Sequence, residues 1–221
     1  MSKRSWLAVC AMVFGGLLGQ AQAQTLSLST TYAGGNGQDG NMFDVVALND
    51  IRVTGFDVNC GSALTQDFEI YGKTGSYVGS ELVPGDWTLI ASVPGVVCNA
   101  PGVATPLGAV LDVAIASGQT YAFYVTENGL VDGVDYTNGT AVGQVAAANT
   151  DLQILEGAGV QYPFAGTFQP RIWNGTLYYV LDAPVAPIVT PVPTLSEYGL
   201  GLLAVLLVFA ARRSMRGRFN A

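Results

Sequence analysis

At 221 residues the chain has room for one ordinary domain plus accessory segments, since domains run on the order of 100–200 residues. Half of it is hydrophobic, only 11% is charged and 28 residues are glycine, a composition that argues against disorder and suits short strands joined by many turns. The net charge of −7 hides an uneven distribution. Between residues 24 and 182 three basic residues, Arg52, Lys73 and Arg171, stand against fifteen acidic ones, which argues against nucleic acid or anionic lipid as a partner because phosphate binding needs clustered Lys and Arg.

The first segment, residues 1–23, reads MSKRSWLAVCAMVFGGLLGQAQA. Lys3 and Arg4 precede an apolar run from Trp6 to Leu18, and Ala21-Gln22-Ala23 supplies small residues at a cleavage site, the pattern of a secretory signal peptide cut before Gln24. The run is short for a membrane span, and Cys10 sits too early in it for a lipoprotein signal. Export of this kind engages the Sec translocon and signal peptidase.

Cleavage leaves two cysteines, Cys60 and Cys98, in an oxidising compartment, where a disulfide is the default and two buried thiols the alternative.

Residues 24–182 show alternation rather than a helical period. Leu26 and Leu28 alternate with polar residues, and Ile51 and Val53 do so until Gly55-Phe56, where a slip predicts a bulge. Phe68 and Ile70, Trp87 and Leu89, then Tyr121, Phe123 and Val125, and finally Leu152 and Ile154 continue the pattern. Asn138-Gly139 and, more sharply, Asn174-Gly175 inside RIWNGTLYYV predict two-residue hairpin turns. The expected fold class is all-β: an antiparallel β-sandwich, jelly-roll-like or Ig-like, flanked by the signal peptide and a C-terminal membrane-spanning helix.

Candidate chemistry in this region is sparse. The chain has no histidine, which removes Ser-His-Asp and Cys-His catalysis and most transition-metal sites. No phosphate-cradling glycine loop and no dinucleotide fingerprint is present. A carboxylate pair of the kind glycosidases use is the one catalytic option left, and no two residues are singled out for it, so no enzyme and no cofactor is expected. Two segments offer oxygen ligands for calcium: GGNGQDG, with Asp39, and VDGVDYTNG, with Asp132 and Asp135. The first fits a calcium-binding repeat only in part and reads better as a flexible turn; the second lacks EF-hand spacing and reads better as an Asx turn. Trp87, Trp173, Tyr178 and Tyr179 could stack on a sugar, although such residues in alternating strands more often belong to the core.

A proline-rich spacer, residues 183–193, carries four of the ten prolines, which no sheet interior tolerates in such density. Residues 194–221 follow. Tyr198 to Ala211 is apolar or glycine throughout, about 21 Å as a helix, short against a hydrocarbon core of about 30 Å. Arg212, Arg213, Arg216 and Arg218 close it and set a cytoplasmic side and a stop to translocation.

Val192, Pro193, Thr194, Leu195, Ser196, Glu197, Tyr198 and Gly199, followed by the apolar run and the arginines, resemble the IPTL-CTERM sorting domain, a relative of PEP-CTERM signals. The family pattern is similar to I-P-T-L-S-E-W-G, from which Val192 and Tyr198 depart conservatively. The resemblance implies recognition by an exosortase-type membrane transpeptidase in a Gram-negative envelope, a transient inner-membrane anchor, and delivery to the cell surface or extracellular matrix. It says nothing about the activity of residues 24–182. The reading for those residues is a non-catalytic structural or adhesive domain, with a carbohydrate-binding module for extracellular polysaccharide as the first alternative and a carboxylate glycosidase as the second.

Overall fold

The computed structural model describes residues 24–129 and 132–182, together with helical residues 201, 202, 204–209 and 212. Contacts divide the chain into two units, Met1–Asp182 and Ala183–Ala221, and each is described by itself.

In the first unit the strands run in chain order as β1 (Leu26–Ser29), β2 (Asn36–Gln38), β3 (Gly40–Ala47), β4 (Ile51–Asn59) and β5 (Thr65–Thr74). A 3-10 turn, Pro84–Asp86, precedes β6 (Thr88–Val97), β7 (Ala104–Pro106), β8 (Val113–Ile115), β9 (Thr120–Glu127) and β10 (Val134–Asn138). The last are β11 (Val145–Ala148), β12 (Leu152–Leu155), β13 (Gly157–Gln161), β14 (Gly166–Trp173) and β15 (Gly175–Leu181). They form two antiparallel sheets. The smaller has the order β1-β15-β4-β7, with β8 also on β4; the larger runs β2-β10-β14-β13-β3-β9-β5-β6, with β12 joining β11 to β3.

The sheets pack as a sandwich because their alternating apolar residues meet in one core. Phe56 of the smaller sheet stands edge-on to Phe123 and Trp173 of the larger, at 5.1 and 5.6 Å between ring centroids, and Trp173 stacks on Phe43 at 4.3 Å. The expected slip in β4 is present. Tyr178 pairs with Gly55 and Tyr179 with Val53, so Thr54 is the extra residue, and the buried positions shift phase from Ile51 and Val53 to Phe56 and Val58. A second apolar cluster, with Met42, Tyr77, Trp87, Tyr124 and Phe164, covers the outer face of the larger sheet. Cys60 and Cys98 form a disulfide with their Cα atoms 6.0 Å apart.

Neither Asn-Gly pair is a hairpin, which corrects the expectation from sequence. A type I′ turn needs positive φ at both residues, and among the described residues no non-glycine has it, nor do Gly139 and Gly175. Residue 174 is instead a corner between the sheets: β14 pairs with β10 and β13, whereas β15 pairs with β1 and β4. Glycine follows because the Trp173 indole lies where a side chain at 175 would stand. At 138–139 the chain leaves β10, and the Gly139 N–H donates to the carbonyl of Pro170 on β14. GGNGQDG is likewise more than a turn. Its residues Asn36–Gln38 make β2, an edge strand on β10.

The ends of this unit leave from one side, since β1 runs antiparallel to β15 with Leu26 opposite Tyr179. The C-terminal end is fixed: Asp182 N–H donates to the Asp50 carbonyl at 2.9 Å, and Arg52 bridges Asp182 and Asp112 at 2.8 and 2.6 Å. In the second unit the described helical residues expose apolar side chains, Leu202, Val205, Leu206, Leu207, Val208 and Phe209 among them. Among the described residues no helix is long and apolar enough to cross a membrane.

Candidate functional site

All eight sorting-motif residues expected from sequence, Val192 to Gly199, lie outside the described residues, as do Ala21, Ala23, Arg213, Arg216 and Arg218; Gln24 is exposed and Arg212 is helical.

The two calcium-candidate segments come together. β2 lies beside β10 with Gly37 opposite Asp135, and the Asp135 carboxylate sits against the faces of Gly34 and Gly37 that bear no side chain. Burial pushes the Asp135 carboxyl above its ordinary value. The other two candidates are placed elsewhere: the Asp39 carboxylate accepts the backbone N–H of Tyr162 at 2.8 Å, and Asp132 is exposed. Among the described residues no three acidic, cysteine or histidine side chains gather as metal ligands.

Three of the four aromatic candidates are core residues. Trp87 donates its indole N–H to the Ser80 carbonyl at 2.9 Å within the outer cluster. Trp173 stacks on Phe43, and Tyr179, 1% exposed, donates to Asp151 at 2.8 Å. Tyr178 alone reaches the surface, because it alternates with Leu177 and so points to the outer face of β15, where it is half-buried.

That outer face carries a hydroxyl-rich row. Tyr178 donates to Oδ2 of Asp57 at 2.8 Å; Asp57, on the neighbouring β4, is 7% exposed. Thr176, one side-chain period back along β15, shares hydrogen bonds with Ser29 of β1 at 2.7 Å and with the Tyr32 hydroxyl at 3.0 Å. Burial, opposed by the Thr176 bond and helped by Asp57 and Tyr178, pushes the Tyr32 phenol up to about 12. The bond to Asp57, then burial, raises the Tyr178 phenol as well. Both phenols therefore stay neutral and able to donate across the physiological range.

Beside this row a groove of about 320 Å³ opens on the smaller sheet. Its origin is a gap in strand pairing. β7 covers Asp57–Asn59 of β4 and β8 covers Ile51–Val53, while the connection between them swings outward over Thr54, Gly55 and Phe56. The N–H groups of Leu107 and Leu111 still satisfy the carbonyls of Phe56 and Thr54 at 3.1 and 3.0 Å. Gly55 leaves the floor bare, and a Cβ there would stand 3.2 Å from the Ala109 carbonyl oxygen. Sequence reasoning named Tyr178 but missed Asp57 and the groove; the bulge at Thr54, which aims Gly55 outward, was the available signal.

Residues 190–217 match the model of the IPTL-CTERM motif. Residues 24–182 match no named family, and no curated protein matches the chain. Among solved structures, the infectious bursal disease virus VP2 subviral particle aligns over 93% of this chain and 54% of its own, with 11% identity and a TM-score of 0.22. The structure of the Gx strain of that virus aligns over 73% of this chain and 35% of its own, with 13% identity and a TM-score of 0.18. The chain thus spans about half the length of the first, and likenesses at these scores carry no argument about fold or activity.

Proposed function

We propose that this is an exported protein that an exosortase-type enzyme sorts to the cell surface or extracellular matrix, and that residues 24–182 are its non-catalytic, structural or adhesive cargo. The single observation that carries this reading is the IPTL-CTERM match over residues 190–217, which implies export and membrane-associated sorting. The disulfide supports it, because such bonds persist in exported proteins and are rare in the cytoplasm.

In this reading residues 1–23 direct the chain to the Sec translocon, and signal peptidase frees Gln24. Tyr198 to Ala211 then holds the chain in the inner membrane of a Gram-negative cell with the arginines on the cytoplasmic side. The exposed apolar side chains of the helical residues 202 and 205–209 support a lipid environment, since a helix with that surface gains free energy only by burying it. A short span suits an intermediate awaiting cleavage. The lack of histidine removes Ser-His-Asp and Cys-His catalysis from the cargo.

The test is the intact mass of the surface form from wild-type and exosortase-deficient cells. The expected result is a species starting at Gln24 and lacking Arg212 to Arg218 in the wild type, with the arginines retained in the deficient strain. Recovery of the arginines in mature surface protein would overturn the sorting reading.

A further inference from the structure

We infer that the groove between Tyr178 and the outward loop of β7–β8 binds a single neutral sugar unit of a polysaccharide. The inference rests on the adhesive reading of the cargo above and gives it a site. Three features of the groove carry it.

The first is an acceptor oxygen that the protein leaves open. Asp57 is 7% exposed, and only one of its oxygens, Oδ2, has a hydrogen-bond partner among the described residues, the Tyr178 hydroxyl. Among the described residues no cation meets the carboxylate: Arg52 is engaged by Asp112 and Asp182, while Lys73 and Arg171 belong to the larger sheet. Oδ1 is therefore free to accept from a ligand, and a ligand that brings several hydroxyl donors suits it best.

The second is the wall. Tyr178 presents a half-buried ring, and the bare backbone at Gly55 with Pro106 and Ala109 completes a lining beside Asp57, Thr54 and Thr25. An aromatic face with a few placed polar groups is how small-ligand sites fix a molecule with one face of C–H groups and a rim of hydroxyls. A pyranose ring has that build. The volume of about 320 Å³ admits one such unit and little more.

The third is charge. A domain with three basic and fifteen acidic residues repels uronic acids, sulfated sugars and phosphates, and Asp57 in the groove would stand against any anionic substituent. Between anionic and neutral sugars, the charge favours the neutral ones.

The experiment uses the full chain purified in detergent, titrated with maltotetraose, cellotetraose and mannotetraose as neutral probes and tetragalacturonate as the acidic one. At least one neutral probe is expected to bind saturably, with an affinity that does not change with salt, since no charge pair forms. Tyr178→Ala, Asp57→Ala and the groove-filling Ala109→Leu should each weaken binding at least about tenfold. Near-ultraviolet circular dichroism and retention of the disulfide report folding, and Tyr178→Ala, at a half-buried position outside both apolar clusters, covers the case in which Asp57→Ala does not fold. Absence of binding by all three neutral probes, binding that Tyr178→Ala and Ala109→Leu leave unchanged, or preference for tetragalacturonate would each overturn the inference. Self-association abolished by Ala109→Leu would also overturn it, by assigning the groove to a second copy. Binding is read on purified protein and sorting in cells, so failure of one is distinguishable from failure of the other.

Discussion

The Asn174 side chain accepts the backbone N–H of Gly34 at 2.9 Å, tying the corner between the sheets to the start of the glycine-rich segment. The same carboxamide donates to the Ile172 carbonyl and the Thr137 hydroxyl, both at 3.1 Å, and Asn174 is 1% exposed. Asn174→Ala should therefore cost about 2–3 kcal/mol, because it strands partly buried donors and acceptors as well as losing their bonds. Urea unfolding checks the magnitude. Hydrogen exchange checks the place: β2 should lose protection first, since its edge pairing on β10 depends on where Gly34 is held.

Asn174 also shows what could and could not be read from the sequence. The alternation of Ile51 and Val53, the slip at Gly55-Phe56 and the apolar runs of β5, β9 and β12 were legible because each is a local consequence of burying one face of a strand. The partners of each strand were not legible. Asn-Gly between two β-rich arms is the strongest short-range hairpin signal, yet the arms go to different sheets, since Trp173 is drawn onto Phe43 in the core and occupies the space over Gly175. The candidate site divides in the same way. The sorting signal is a linear motif and could be read directly; the Asp57–Tyr178 pair joins residues 121 apart in sequence and depends on pairing that local pattern does not encode.

Two carboxylates should give stability opposite dependences on pH. Burial, opposed by Ser76 Oγ–H, the Tyr77 N–H and nearby Lys73, raises the Asp44 carboxyl above 3.8. The native state then holds that proton more tightly than the unfolded state, so the contribution of Asp44 is greatest below 3.8 and declines as pH rises through the folded-state value. Asp151 is lowered, first by the Tyr179 hydroxyl and then by Asn49, so its contribution is present above 3.8 and lost as pH falls through its folded value. Urea unfolding from about pH 3 to about pH 7 should show Asp44→Asn removing a downward slope with pH and Asp151→Asn removing an upward one. Identical slopes for the two variants would show the assignment wrong.

The disulfide closes a loop with a sequence separation of 38. In the chain-entropy model a loop of that size stabilises the fold by about 4 kcal/mol, so Cys60→Ser with Cys98→Ser should lower the unfolding free energy by up to about that amount without changing the pairing of β4. Both cysteines are almost fully buried, at 0% and 5% exposure, which protects the bond from reductant in the native state. Peptide mapping without reduction should recover the linked pair. Alkylation of both thiols in unreduced protein would count against it.

Delivery and folding should separate cleanly between the two units. Asp182 is held at the end of β15 by the Asp50 carbonyl and Arg52, so the first unit is closed at its C-terminal end by contacts of its own. Thr194→Ala should accordingly leave the disulfide, the urea midpoint and protease resistance unchanged while blocking removal of the tail. Asn174→Ala should do the reverse, lowering stability while the fraction that reaches the surface is still processed. Removing the charges of Arg212, Arg213, Arg216 and Arg218 should reduce retention at the inner membrane, because nothing then opposes passage of the segment after the apolar run. Fractionation of cells carrying each variant reads all three, and a reporter in place of residues 24–182 tests whether the tail acts alone. If the reporter reaches the surface, the tail is a portable address and the sandwich is its cargo. If the reporter stays uncut in the inner membrane, or if Thr194→Ala is processed like the wild type, the match at 190–217 marks a plain anchor, and the sandwich functions at the outer face of the membrane that holds it.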